Sequence, residues 1–234
     1  MNILNLYAGI GGNRTLWGDE HHITAVEYDA DIAAVYAKRF PNDEVIVADA
    51  HEFLLRHVRE FDFVWSSPPC ITHSRLNIAA KSSRYRKSIA RYPDMSLWQE
   101  IIFLGLQCSR SAWVVENVIP YYKSLVEPVA TIGRHLFWSN LPIKSEERPA
   151  GDIKNYHKKT FADKYDVPLE LLDGFNAQRQ RQILRNCVEP EIGRQILDIA
   201  LGIKREKDVV QLALNFEDGS ALDSGEECNS TGRN

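Results

Sequence analysis

Short apolar runs alternate with segments of helical periodicity through the first half of this 234-residue chain. A short apolar run bounded by polar or turn-forming residues is typical of a strand buried in a sheet. Five such strands are predicted, at Ile3–Tyr7, Ile23–Glu27, Val45–Ala48, Phe61–Ser66 and Ala112–Glu116.

Helical patterns lie between these runs, over Ala30–Phe40, His51–Arg59 and Asp94–Ser109. In the last of them one apolar stripe contains Leu97, Ile101, Leu104 and Cys108. Strands and helices that alternate at this spacing predict an α/β fold with a doubly wound, mostly parallel sheet. Ligands of such sheets bind beyond the carboxyl ends of the strands, so the residues at those ends are the first candidates for a site.

The pattern weakens past Leu141. Residues Pro142–Val167 are polar and show little periodicity, whereas helical patterns return over Asn176–Leu184 and Pro190–Leu201. The tail Asn215–Asn234 is rich in Gly, Ser, Asp and Glu, which predicts disorder.

The four cysteines form no CxxC pair and no histidine cluster completes a metal-ligand set, so free thiols and no bound metal are expected. The first residues lack a signal peptide, and no apolar stretch is long enough to cross a membrane. These features predict a cytoplasmic protein.

The net charge of −4 argues against a nucleic-acid partner, but the charges are unevenly distributed. Five acids lie in the tail, while the segment Ile71–Arg91 has no acid and six basic residues: Arg75, Lys81, Arg84, Arg86, Lys87 and Arg91. A local basic stripe of this kind indicates phosphate contact. The alternative is an ordinary solvated loop.

Three predicted strand ends carry residues suited to an adenosine-bearing cofactor. The first strand runs into a turn with Gly9, Gly11 and Gly12, where a ligand can approach the backbone closely. Glu27 ends the second strand and can accept hydrogen bonds from ribose hydroxyls, and Asp49 after the third can accept from an adenine amino group. The alternatives are a simple tight turn, a surface acid and a helix cap.

The fourth strand leads into Ser66-Ser67-Pro68-Pro69-Cys70, and two prolines would hold the thiol at the sheet edge. A thiol placed there is a candidate nucleophile rather than a small buried side chain. Glu116, at the end of the fifth strand, is expected to face the same pocket. Thiolate attack on carbon 6 of cytosine, with an acid on ring N3, would make carbon 5 reactive enough to accept a methyl group.

In these motifs the chain resembles the cytosine-5 DNA methyltransferases, in particular the compact versions carried by phages and prophages. The matching segments, in order, are Asn5-Leu6-Tyr7-Ala8-Gly9-Ile10-Gly11-Gly12, Val26-Glu27-Tyr28-Asp29, Pro68-Pro69-Cys70, Glu116-Asn117-Val118 and Arg185-Asn186-Cys187-Val188-Glu189-Pro190.

The resemblance implies a class I, Rossmann-like catalytic domain that binds S-adenosylmethionine and acts as a monomer on a cytosine flipped out of double-stranded DNA. It implies that Cys70 is the nucleophile and Glu116 the acid on N3. The implied cofactor residues are Tyr7, Gly9, Gly11, Gly12, Glu27, Asp49, Pro69, Asn186 and Val188. Glu27 would hold the ribose, Asp49 the adenine, and the Tyr7 ring would lie near the sulfonium.

The chain departs from the family pattern at several positions. Ile71 replaces a glutamine, although Ser74 matches a serine of the same loop. Arg134, in Gly133-Arg134-His135, is taken as the contact to the cytosine carbonyl, with His135 as the alternative. The expected DNA contacts are Ser74, Arg75, Arg84, Arg86 and Lys87.

The expected domains are a catalytic domain over residues 1–140 and 173–205, a short target-recognition region over 141–172, and an acidic tail over 206–234. Three alternatives remain open: a tRNA cytosine methyltransferase, a catalytically silent nucleic-acid-binding relative, and a methyltransferase of small molecules. A partner restriction nuclease and a phage origin would fit the resemblance.

Overall fold

The computed structural model describes residues 1–75, 92–148 and 157–202. Its centre is a seven-stranded sheet in the order β3-β2-β1-β4-β5-β7-β6. The strands are β1 (Asn2–Leu6), β2 (His22–Glu27), β3 (Glu44–Val47), β4 (Phe63–Ser66), β5 (Ala112–Val118), β6 (Ala130–Ile132) and β7 (His135–Ser139). The loop residues Arg84, Arg86 and Lys87 and the acidic tail from residue 206 lie outside the described residues.

Strands β1 to β5 are mutually parallel, whereas β7 runs antiparallel to both β5 and β6. The predicted α/β fold with a doubly wound, mostly parallel sheet is therefore confirmed. The hairpin of β6 and β7 was not predicted. All five residues of β7 are buried, so the strand has no polar face to mark it, and β6 has only three residues.

Six helices accompany the described strands. They are α1 (Ala30–Arg39), α2 (Ala50–His57), α3 (Ser96–Gln107), α4 (Lys158–Lys164), α5 (Ala177–Arg185) and α6 (Pro190–Ala200), with 3₁₀ turns at Val58–Glu60 and Leu169–Leu172. Helix α4 lies in the segment that was predicted to be irregular. Its Ala162 is buried in a cluster with Ile183 of α5, so tertiary packing rather than local periodicity holds it.

The sheet is covered on both faces because neighbouring strand residues point to opposite sides. Leu4 of β1 packs in a cluster with Leu54 of α2 and Leu104 of α3. Its neighbour Ile3 belongs to a different cluster, which includes Ile192 and Ile196 of α6. The carboxyl ends of the parallel strands remain as the edge at which a site can form.

Helix α6 approaches the turn after β1 very closely, at Gly193. A Cβ atom added there would lie 2.0 Å from the carbonyl oxygen of Asn13, so the contact requires glycine. The guanidinium of Arg194 also donates to the carbonyl of Leu16 at 3.2 Å. These contacts fasten the last described helix to the loop that follows the first strand.

None of the described helices is long and apolar enough to cross a membrane. Within residues 1–75, 92–148 and 157–202, no group of His, Cys, Asp and Glu side chains is arranged to hold a metal ion.

Candidate active site

The candidate residues follow or end neighbouring strands of the sheet. Because β3, β2, β1, β4 and β5 are adjacent and parallel, their carboxyl ends form one continuous edge. Along that edge lie Asp49, Glu27, Tyr7, Cys70 and Glu116. The sequence-based expectation that these strand ends converge therefore agrees with the topology.

The glycine turn after β1 leaves open space beside a fixed carboxylate. Gly9 has φ +55°, and no atom lies within 4 Å of the position that a Cβ would occupy. Its backbone N–H donates to Glu27 Oε2 at 2.9 Å, and the N–H of Asp29 donates to Oε1 at 3.0 Å. Each carboxylate oxygen has a further lone pair, so Glu27 can still accept hydrogen bonds from ribose hydroxyls.

The other side of this turn is covered by the connection between α5 and α6. A Cβ atom at Gly12 would lie 2.7 Å from the carbonyl oxygen of Val188 and 2.8 Å from Cys187 Cβ. Val188 is buried, whereas Asn186 is the exposed residue that ends α5. The structure thus brings Cys187 and Val188 to the glycine turn, while the cofactor contacts expected of Asn186 and Val188 remain predictions.

Asp49 caps helix α2. Its Oδ1 accepts a hydrogen bond from the N–H of Glu52 at 3.0 Å, which is the structural role that the sequence had left as an alternative. A cap uses only part of the capacity of a carboxylate, so a contact to adenine remains a proposal.

Tyr7 begins the glycine turn in the left-handed region, with φ 54°. Its hydroxyl donates to Glu100 of α3, and burial together with the Glu100 charge raises the pKa of Tyr7 well above its ordinary value. Tyr7 therefore stays a neutral donor. Glu100 has no solvent exposure and was not singled out from the sequence. The signal was present, because Glu100 lies beside Ile101 in the apolar stripe of its helix.

Cys70 lies on a braced loop. The side-chain amide of Asn117, itself 2% exposed, donates to the carbonyl of Pro68 at 2.9 Å. The carbonyl of Cys70 accepts from the N–H groups of His73 and Ser74, at 3.0 and 2.9 Å. Pro69 is exposed and Cys70 is partly buried, which leaves the thiol within reach of a ligand.

The thiol of Cys70 lies in the electrostatic field of two strand-end groups. Burial raises its pKa, the Glu116 carboxylate raises it further, and the Arg134 guanidinium acts in the opposite direction. In the free protein Cys70 is therefore mainly a protonated thiol at neutral pH.

Glu116 and His135 are diagonal neighbours across the antiparallel pair of β5 and β7, in which Glu116 is opposite Phe137 and His135 is opposite Val118. Glu116 Oε1 and His135 Nδ1 are 3.6 Å apart, and each side chain is 8% exposed. Burial lowers the pKa of His135, while the Glu116 charge partly opposes that shift. Arg134 lies in the turn before β7, and its Nη2 donates to the carbonyl of Arg185 at 3.3 Å. Of the two residues considered for the cytosine carbonyl, His135 is thus the one that lies next to Glu116.

The described part of the basic loop packs against the connection after β5. Arg75 Nε donates to the carbonyl of Pro120 at 3.4 Å, and Ser74 forms a β-bridge with the same residue. Two described residues of the expected target-recognition region, residues 141–172, contact Glu189, which accepts from Arg148 Nη1 at 3.0 Å and from Lys164 Nζ.

The structure is thus a doubly wound α/β protein whose sheet carries a glycine turn, an acid at the next strand end and a braced thiol along one edge. The sequence model of the C-5 cytosine-specific DNA methylases matches residues 1–118, about half of the chain. The chain therefore belongs to the C-5 cytosine-specific DNA methylase family, a family of S-adenosylmethionine-dependent methyltransferases. The predicted family is confirmed.

No curated protein sequence matches the chain significantly. Among solved structures, a DNMT2 mutant of Spodoptera frugiperda is 18% identical, with a TM-score of 0.41 over 63% of this chain and 53% of that one. An Escherichia coli protein, assigned as a DNA modification methyltransferase encoded within prophage Cp, is 17% identical, with a TM-score of 0.35 over 53% and 34%. A SAM-dependent methyltransferase of Agrobacterium tumefaciens is 14% identical, with a TM-score of 0.36 over 52% and 40%.

The alignments span between about one-third and just over one-half of the length of these proteins. Likenesses at these TM-scores do not distinguish one substrate from another.

Proposed function

We propose that this protein transfers a methyl group from S-adenosylmethionine to carbon 5 of cytosine in double-stranded DNA, with Cys70 as the nucleophile. The observation that carries the proposal is the placement of Cys70 after β4 and of a buried Glu116 on the adjacent β5, close enough for the Glu116 charge to act on the thiol. The family membership supports the reaction, and the basic segment Ile71–Arg91 supports a nucleic-acid substrate.

The residues of this chain provide an acid and a nucleophile for the cytosine ring. Glu116, when protonated, donates to N3 and draws electrons from the ring. Cys70 gives its proton to solvent and its thiolate adds to carbon 6, which opens the double bond between carbons 5 and 6 and makes carbon 5 nucleophilic. Methyl transfer to carbon 5 leaves S-adenosylhomocysteine. The proton on carbon 5 then passes to solvent, the double bond re-forms as the bond between sulfur and carbon 6 breaks and returns the thiolate, and the N3 proton goes back to Glu116. Arg134 favours the thiolate that starts the sequence.

The edge formed by the carboxyl ends of the parallel strands, called the cofactor edge from here on, fits S-adenosylmethionine, the cofactor that the family implies. When bound, S-adenosylmethionine supplies an electrophilic methyl group on a sulfonium. The open space at Gly9, the fixed carboxylate of Glu27 and the cover provided by Val188 are suited to its nucleoside part. We assign the ribose to Glu27, the adenine to Asp49 and the sulfonium environment to Tyr7, with Gly11, Gly12, Pro69 and Asn186 lining the same edge.

DNA contacts are assigned to Ser74 and Arg75, with Arg84, Arg86 and Lys87 from the rest of the loop. Residues 141–172 would then read the sequence around the target base. We place the reaction in the cytoplasm of a bacterial host, as a modification activity of the phage and prophage type.

The nucleophile is tested by covalent capture. Incubation with cofactor and duplex DNA that contains 5-fluorocytosine is expected to trap an adduct, because fluorine cannot leave carbon 5 as a proton does. Cys70→Ser should form no adduct and transfer no label to normal DNA, while still binding S-adenosylhomocysteine in calorimetry. Normal methylation without a trapped adduct would contradict the mechanism.

The substrate is tested separately, with labelled cofactor and either duplex DNA or tRNA. Label in DNA that is lost in Cys70→Ser supports the proposal. Label that appears in tRNA and not in DNA would overturn the substrate while leaving the thiol chemistry intact.

A further inference from the structure

Helix α3 carries a carboxylate into the interior of the protein. Glu100 has 0% exposure and lies among apolar side chains of the same helix face, including Leu97 and Leu104. Three side chains donate to it: the Tyr7 hydroxyl, the Ser66 hydroxyl at 2.6 Å, and the His51 Nδ1 at 2.9 Å.

A stability role alone does not account for this carboxylate. A buried carboxylate is costly unless it is fully hydrogen-bonded, and replacing buried polar groups with well-packed apolar side chains often leaves stability unchanged or improved. An apolar residue at position 100 would continue the stripe of α3 and need no donors. The arrangement of Glu100 and its three donors therefore indicates that the carboxylate serves to hold those donors in place.

The three donors come from three segments of the candidate cofactor edge. Tyr7 begins the glycine turn after β1, Ser66 is the last residue of β4, and His51 lies in the first turn of α2, two residues after Asp49. Glu100 thus joins the ends of β1 and β4 to the helix that follows β3. It makes no contact with Cys70 or Glu116 in the described hydrogen bonds and ion pairs.

We propose that Glu100 is a positioning residue for the cofactor, and that it acts through Tyr7. This inference rests on the proposed cofactor site. The hydroxyl of Tyr7 is anchored on the Glu100 carboxylate, so the ring has a single orientation at the start of the glycine turn before the cofactor arrives. Without that anchor, binding must first order the ring, which lowers affinity.

The proposal is tested by a double-mutant cycle on cofactor affinity, measured as the Kd for S-adenosylmethionine by calorimetry. Glu100→Gln keeps the size of the side chain, and Tyr7→Phe keeps the ring but removes the hydroxyl. Ordering one freed side chain on binding lowers affinity by up to about tenfold, so each single variant is expected to bind up to about tenfold more weakly. The double variant should bind no more weakly than either single variant, because both changes remove the same anchor.

A general structural role gives a different pattern. If Glu100 only supports the fold, the two losses multiply and the double variant binds up to about a hundredfold more weakly. That result, or wild-type affinity in Glu100→Gln, would overturn the proposal. Asp198→Asn is the matched control, since it removes another buried carboxylate, on α6, which accepts from Arg194 at 2.7 Å. Its cofactor affinity should equal that of the wild type.

Two further measurements keep the test decisive. If Glu100→Gln does not fold, Glu100→Leu, which needs no hydrogen-bond donors, replaces it in the same cycle with the same expected pattern. If the wild-type protein itself binds neither S-adenosylmethionine nor S-adenosylhomocysteine, the proposed function fails. If the wild type binds the cofactor tightly but the two single losses multiply in the double variant, only the positioning role of Glu100 is overturned.

Discussion

The proposed nucleophile, Cys70, illustrates how burial and neighbouring charges set the pKa of one residue. Burial and the Glu116 carboxylate raise the pKa of Cys70, and the Arg134 guanidinium lowers it. A thiol held in the protonated form resists unwanted oxidation and alkylation, because the thiolate is the reactive species. The charge of Arg134 thus favours the thiolate form of Cys70.

We expect Arg134→Ala to move the alkylation of Cys70 by iodoacetamide to higher pH, because the group that lowers the pKa of the thiol is removed. Glu116→Gln should move it to lower pH, because a carboxylate that raises the pKa is removed. The rate of modification at Cys70, measured by mass spectrometry across pH, gives both midpoints. Cys70→Ser supplies the background from the other cysteines, and equal midpoints in all variants would contradict this account.

At the scale of single residues, the sequence predicts candidate site residues that stand in local motifs, and it misses residues whose contacts come from distant parts of the chain. Cys70 and Glu116 follow from Pro-Pro-Cys and Glu-Asn-Val. The role of Glu100 depends on donors 93, 49 and 34 positions away in the chain, and no spacing pattern encodes such a set. The pairing of His135 with Glu116 likewise required the unpredicted register of β7 on β5.

Among the elements, regular periodicity made the parallel strands and their helices predictable to within a few residues. Helix α3 begins at Ser96 and ends at Gln107, inside the predicted Asp94–Ser109. The hairpin of β6 and β7 and the short helix α4 were missed. Neither has an amphipathic pattern of its own, since β7 is buried throughout and α4 depends on packing against α5.

The docking of α6 on the loop after β1 is tested with two glycines that lie in helices. Gly193→Ala should destabilise the protein by about 1–3 kcal/mol or more, because the new methyl group would meet the backbone of Asn13, which cannot rotate away. Gly105→Ala is the matched control, since its Cβ would meet only Trp113 at 3.9 Å. That change, at an exposed position of α3, should stabilise the helix by about 0.5–1 kcal/mol. Urea unfolding measures both; equal effects would show that α6 does not need this close approach.

For the whole molecule, acid stability depends on histidines that are buried in the neutral form. His73 has 0% exposure, its Nδ1 pairs with the Tyr122 hydroxyl at 2.5 Å, and its Nε2 has no partner among the described residues. Burial lowers the pKa of His73, and Asp94 partly opposes that shift. Protonation in the folded state would therefore leave a charged N–H group unsatisfied in the interior.

The direction in which stability changes with pH follows from how many protons the folded and unfolded chains bind. Between the lowered pKa of folded His73 and its ordinary value of 6.5, the unfolded chain binds more protons, so stability falls as the pH falls. The free energy of unfolding from urea titrations at pH 7.5 and 5.5 should therefore drop in the wild type. One such group contributes at most about 1.4 kcal/mol per pH unit. His73→Phe should reduce the drop but not abolish it, since His135 and His21 also have lowered pKa values. An unchanged drop in His73→Phe would exclude His73 as a contributor.

The close contact between α6 and the first loop has a consequence for the order in which the protein becomes complete during translation. Arg194 reaches back 178 positions to Leu16, and Arg179 reaches back 150 positions to Asp29. Trp17 is among the first residues made, and it is fully buried in a cluster with Ile192 and Ile196 of α6, the last described helix. It can therefore be covered only after α6 has been made. Until α6 is made, a nascent chain exposes its glycine turn and an aromatic surface, and transiently exposed apolar surface of this kind favours aggregation and chaperone binding.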